Sequence, residues 1–154
     1  MRPIQVWFDE YGESHRNPTN TAIHWICVPA IYFCVVGLLV SIPDLHVPGI
    51  GRLTLATPVL AIALLFYLMR SLTLWLGMAL FSLACLLAAR WIDAHATWPL
   101  WAICLVLFAL AWVGQFIGHH IEGKKPSFLK DLAFLLIGPA WLLAKLYRRF
   151  GIPY

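Results

Sequence analysis

The chain has 154 residues, of which 62% are hydrophobic and 12% charged, and it carries a formal net charge of +4. Soluble domains are roughly half apolar and about a quarter charged, and a chain this short cannot hide so much apolar surface in a water-soluble fold. Composition therefore excludes a soluble globular domain and predicts an all-α membrane protein, with membrane lipids as neighbours and no nucleic-acid partner.

No Ser/Gly-rich linker, charge run or internal repeat divides the sequence, so one domain over residues 1–154 is expected. It reads as an interfacial segment over 1–21, a four-span bundle over 22–118, and a cytoplasmic-face segment with a C-terminal helix over 119–154. The first segment carries Arg2, Asp9, Glu10, Glu13 and Arg16 and lacks the apolar core of a secretory signal, so it is expected to be retained. Within it, Ile4, Trp7, Phe8 and Tyr11 recur at helical period. They predict an amphipathic helix on the membrane surface, with His15 continuing the stripe. Pro18 breaks that helix, and Asn17, Thr19 or Asn20 can cap the one that follows.

Four apolar stretches, 22–42, 53–69, 72–89 and 98–118, reach or approach the length that crosses a hydrocarbon core of ~30 Å. About four transmembrane helices are therefore expected, the middle two forming a tight hairpin around Arg70 and Ser71 or a shallow re-entrant pair. A fifth run, 132–144, is shorter and contains Gly138-Pro139, which predicts an interfacial or re-entrant helix packed against the bundle. With four crossings, nine cations share one side: Arg2, Arg16, Arg70, Lys124, Lys125, Lys130, Lys145, Arg148 and Arg149. Only Arg52 and Arg90 lie opposite, so the positive-inside rule places both termini in the cytoplasm. The four cysteines, Cys27, Cys34, Cys85 and Cys104, form no CxxC pair and read as small apolar packers.

Six histidines in so apolar a chain are the informative feature. An even number of crossings separates His15 and His24 from His119 and His120, so all four reach one face, whereas His46 and His95 lie opposite. The break at Pro18 lets His15 fold back toward His24. His119 and His120 diverge by about 100° on a regular helix. Both can serve one centre only if the helix ends there, as Gly118 and Gly123 would permit. Four converging imidazoles predict a metal site for iron, zinc or copper. Asn20, Gln115, Glu122 and Tyr11 are placed to orient the rings or to move a proton. The competing reading is a set of amphipathic rings resting in the headgroup region. Lys124 and Lys125 orient the protein and could also meet a carboxylate or lipid phosphate.

Two segments carry a family resemblance. Tyr11-Gly12-Glu13-Ser14-His15-Arg16-Asn17-Pro18-Thr19-Asn20-Thr21-Ala22-Ile23-His24, followed by Val28-Pro29, resembles the N-terminal signature of the Mpo1-like (DUF962) membrane proteins. The run Trp112-Val113-Gly114-Gln115-Phe116-Ile117-Gly118-His119-His120-Ile121-Glu122-Gly123-Lys124-Lys125-Pro126 resembles their second signature. The resemblance implies an Fe(II)-dependent dioxygenase that uses O2 to remove one carbon from a 2-hydroxy fatty acid in α-oxidation, without 2-oxoglutarate. It maps family histidines onto His15, His24 and His119, while members often carry another residue at the position of His120. Iron would then sit among His15, His24, His119 and His120, with Lys124 or Lys125 attracting the substrate carboxylate. Eukaryotic members act at the endoplasmic reticulum, and this compact chain is more similar to the bacterial branch, which implies the inner membrane. The alternatives carried forward are a zinc or di-iron lipid enzyme and a non-enzymatic lipid-binding or scaffold protein. Substrate chain length and oligomeric state are left open by the sequence.

Overall fold

The computed structural model describes residues 3–49, 51–124 and 128–154. Among the described residues six helices follow in order: α1 (Ile4–Gly12), α2 (Pro18–Val40), α3 (Ala56–Leu68), α4 (Leu72–His95), α5 (Leu100–Glu122) and α6 (Phe128–Arg149). A short antiparallel hairpin of β1 (Leu45–Val47) and β2 (Gly51–Leu53), with Leu45 opposite Leu53, sits between α2 and α3.

Three of these helices, α2, α4 and α5, are long and apolar enough to cross a membrane. On α4, Leu76, Leu80, Leu83 and Leu87 are exposed at spacings of three and four, and Leu110, Val113 and Ile117 repeat the pattern on α5. Such outward apolar rows are costly in water and natural against lipid tails. Of the four expected crossings, the one at α3 is shorter than the sequence suggests. Leu53, read as the start of that span, ends β2 (Gly51–Leu53) instead, which leaves an apolar helix of 13 residues. At 1.5 Å per residue it extends about 20 Å, short of a full hydrocarbon core. The C-terminal bounds of the last two spans move outward. α4 runs on to His95, and α5 continues through Glu122 to a left-handed cap at Gly123, φ 72°.

Helices α2 and α5 form the tightest pair, because small residues line the seam. A β-carbon at Gly37 would overlap the Cys104 thiol, and one at Gly114 would lie 2.6 Å from Cys27 Sγ. In a bilayer, where apolar side chains gain little by leaving lipid, close backbone approach is what drives helix association. α4 joins through Tyr32, whose hydroxyl meets Ser82 Oγ at 2.6 Å.

The predicted break at Pro18 is present: α1 stops at Gly12, and α2 starts with Pro18 at its first turn, capped by Asn17 Oδ1, which accepts from the backbone N–H of Thr19 at 2.9 Å. α1 turns its Phe8 and Tyr11 inward against α6. α6 lies across one end of the bundle. Its Leu136 carbonyl accepts from Tyr67 Oη near the end of α3, and Tyr147 Oη donates to the Thr73 carbonyl at the start of α4. Its Trp141 reaches Tyr11 and His15. The start of α2, the turn between α3 and α4 and the end of α5 therefore share one face, and α6 covers it.

Candidate metal centre

Three imidazoles meet beneath that cover. His15 comes from the loop between α1 and α2, His24 from the second turn of α2, and His119 from the last turns of α5. Their ring centroids are 4.2 Å apart for His15 and His24 and 5.2 Å for each pair with His119. All three are buried, and one nitrogen of each lies within 4.8 Å of the other two.

The ring tautomers follow from the backbone. His15 Nδ1 lies 2.6 Å from the Tyr11 carbonyl, and His24 Nδ1 lies 2.9 Å from the Asn20 carbonyl. A carbonyl only accepts, so each Nδ1 carries the proton and each Nε2 presents a lone pair. His15 Nε2, His24 Nε2 and His119 Nδ1 are buried with no hydrogen-bond partner among the described residues. Burial first, and then the charge His24 would carry, lower the pKa of His15 to about 3, while its bond to Tyr11 opposes the shift. The ring is therefore neutral at physiological pH. Buried polar atoms are normally paired, and leaving one unpaired costs about 1–3 kcal/mol. Lone pairs aimed at a shared point are the donor set a cation satisfies. Imidazole nitrogens ligate zinc at about 2.1 Å, so donors around one such ion stand no more than about 4.2 Å apart. The cluster is close to that size, and it fits a bound transition metal.

His120 does not join the cluster. Because α5 continues as a regular helix to Glu122, adjacent side chains diverge, and His120 is exposed while His119 is buried. His46 lies in β1 and His95 is the last residue of α4, at the opposite ends of the long helices, as their topology requires.

The expected orienting residues are close by but act differently. Asn20 orients His24 through its main-chain carbonyl, and its side-chain Nδ2 donates to the Ser14 carbonyl and to Glu122 Oε2, each at 3.0 Å. Glu122 makes its contacts to the loop: Oε1 accepts from Arg16 N–H at 3.0 Å, and Oε2 accepts from Asn17 N–H at 2.9 Å. The carboxylate thus clamps the segment that carries His15. Tyr11 stacks on His15 with centroids 4.1 Å apart and planes 11° from parallel. Gln115 is buried one turn before His119. Lys124, expected to face substrate, donates instead to the Glu13 carbonyl at 2.8 Å, and Lys125 lies outside the described residues. Trp141 forms a wall of the site, its ring 5.5 Å from that of His15. Nothing in its spacing could have shown this, because α6 reaches the histidines only through tertiary packing.

Apolar helices of membrane-spanning length, closing at one end over three buried histidines with unpartnered ring nitrogens, define an all-α protein of membrane type with a candidate metal centre. The chain belongs to the Mpo1-like family: the family model described as 2-hydroxy-palmitic acid dioxygenase Mpo1-like matches residues 1–150. No curated protein and no solved structure matches the chain.

Proposed function

We propose that this protein is an Fe(II)-dependent dioxygenase that shortens 2-hydroxy fatty acids by one carbon. The observation that carries the reading is the set of unpartnered nitrogens on His15, His24 and His119, in a chain whose family is described by a 2-hydroxy-palmitic acid dioxygenase. Three imidazoles leave coordination positions for O2 and for substrate.

The redox balance needs no second reductant. Converting the 2-hydroxy carbon to a carboxylate while the original carboxyl carbon leaves as carbon dioxide releases four electrons, and O2 reduced to the level of water accepts four. The products are the shortened acid, carbon dioxide and one water. Bound iron would supply the site at which O2 becomes reactive toward the substrate. The chain's own residues do the rest. The Tyr11 and Asn20 carbonyls hold His15 and His24 in the ligating tautomer, Glu122 fixes the His15 loop, and Tyr11 and Trp141 shield the centre from water.

The charge asymmetry read from the sequence, together with the shared face of the helix ends, supports placing the centre at the cytoplasmic interface. A fatty acid separates its head from its tail at that depth. The test is anaerobic purification with metal analysis, followed by incubation of the iron-loaded protein with 2-hydroxyhexadecanoate and O2. One iron per chain and a pentadecanoate product are expected. Zinc without oxygen consumption would favour a zinc lipid enzyme, and no retained metal a lipid-binding protein.

A further inference from the structure

On its outer side His15 opens into a cleft of about 460 Å³ between α1 and α6, a size suited to a small-molecule head group. Trp141, Lys145 and Arg148 form one wall, Arg16 lies beside His15, and Asp9 and Glu13 stand on the α1 side. Lys145 and Arg148 are three residues apart, one turn of the helix, so like charges face the same space and repel. Burial, and then Arg148, lower the pKa of Lys145. The Lys145 ammonium is held 3.7 Å above the Trp141 ring centroid, which fixes it in the cleft instead of letting it extend into solvent. Across the cleft, Asp9 already accepts from Gln5 Nε2 at 2.7 Å. Two preset cations in one wall, with a third at Arg16, form a receptor for an anion.

We propose that Lys145 and Arg148, assisted by Arg16, bind the carboxylate of the acyl substrate and so present its second carbon to the histidine centre. This rests on the dioxygenase reading for the identity of the anion, and it moves recognition from the end of α5, where Lys124 is tied to the Glu13 carbonyl, to α6. His15 touches both compartments: its ring lines the cleft, and it also packs against the rings of His24 and His119, its buried Nε2 unpartnered among the described residues. A carboxylate on the Lys145 side therefore places the adjacent carbon toward the metal. Lys145 and Arg148 are positioning residues in this scheme, and they set specificity for a free acid over an ester or amide.

Calorimetric binding of water-soluble 2-hydroxyoctanoate and of its methyl ester to the full-length protein in nanodiscs, with and without iron, tests the assignment. Lys145→Met keeps the stem over Trp141 and removes the charge, and Arg148→Met does the same on the next turn. Each should weaken binding of the acid by about 10- to 100-fold, the range of a lost charge-assisted hydrogen bond. Affinity for the ester and iron content should stay unchanged. Lys145→Arg should restore most of the loss, and Arg149→Met should match the parent. In turnover, KM should rise at least tenfold for Lys145→Met with kcat nearly constant. A double Lys145→Met/Arg148→Met variant that retains its metal and binds the acid as the parent does would overturn the proposal and leave the dioxygenase reading standing. Charge-dependent acid binding by a protein that neither holds iron nor consumes O2 would do the reverse. Stronger competition by inorganic phosphate or phosphatidic acid than by the carboxylate would make the cleft a phosphate site and overturn the assignment.

Discussion

Gly118 of α5 lies directly against the side-chain oxygen of Asn20 on α2, so closely that a β-carbon at Gly118 would overlap it. The same missing side chain leaves His24 Cε1 only 3.5 Å from where that carbon would stand. The glycine therefore sets the separation of the two helices at the level of the histidines. Gly118→Ala should force them apart or displace Asn20, at a cost of about 1–3 kcal/mol for overpacking. The expected readout is a lower melting temperature and weaker iron retention with helical content preserved by circular dichroism. Iron retention equal to the parent would show that the close approach is not what shapes the site.

The histidines divide into ligands and bystanders. Replacing His15, His24 or His119 by Ala should nearly abolish metal retention, since each removes one of three converging donors. His120→Ala should retain the metal, because its ring points away from the cluster, and His46→Ala and His95→Ala should behave alike. Metal content by mass spectrometry, paired with a folding check, decides this. Equal loss at all six positions would indicate misfolding, and loss at His120 would require α5 to unwind at its end when iron binds.

Glu122 acts on the site through the loop it holds. Its carboxylate accepts from Arg16 N–H, Asn17 N–H and Asn20 Nδ2. Glu122→Ala removes all three bonds and frees the segment that carries His15, so iron affinity should fall by about 10- to 100-fold, as for other supporting residues around a metal. Glu122→Gln keeps one acceptor oxygen and should lose less. Iron titration of both variants gives the ordering. A Gln variant that purifies empty at saturating iron would make the carboxylate a ligand.

Much of this was legible in the chain because the signals were local or topological. The stripe Ile4, Trp7, Phe8, Tyr11 marked a helix, Pro18 marked its break, and counting crossings brought His15 and His24 to the face of His119. The errors share one cause, which is that hydropathy reports burial from water and not the end of a helix. Apolar residues at Leu45 and Leu53 pair in a hairpin and shorten α3. Polar Glu122 ends a helix that apolarity alone would stop at Gly118, and that one extra turn separates His120 from His119. The contributions of Trp141, Lys145 and Arg148 were hidden because α6 meets the site more than a hundred residues after His15, by packing that no spacing encodes.

Orientation can be tested independently of activity. The N-terminus and Tyr154 should label from the cytoplasmic side, and a cysteine placed at His46 in the β-hairpin connection should label from the other. Tyr154 packs against Phe8 with ring centroids 6.2 Å apart, so the two ends of the chain share a face in the structure. Labelling of the two ends from opposite sides in intact spheroplasts would contradict both the packing and the charge asymmetry.

The pH dependence of stability should carry the signature of His15. In the unfolded chain this imidazole titrates near 6.5, and in the fold burial and the neighbouring His24 hold it near 3. Between those values the unfolded state binds a proton that the folded state refuses, so stability must rise with pH across the window. The sign is that of a depressed pKa: the contribution is fully present above pH 6.5 and is lost progressively as pH falls toward 3. The metal-free protein should therefore melt at a nearly constant temperature from about pH 7 to 8 and at steadily lower temperatures from pH 6.5 down to 5, with other titrating groups adding a background that both proteins share. His15→Gln keeps a polar group able to donate to the Tyr11 carbonyl and cannot take up a proton, so its melting temperature should fall less steeply over the same interval. Identical slopes for the variant and the parent would show that His15 titrates normally in the fold, and the buried neutral imidazole on which the metal centre depends would have to be abandoned.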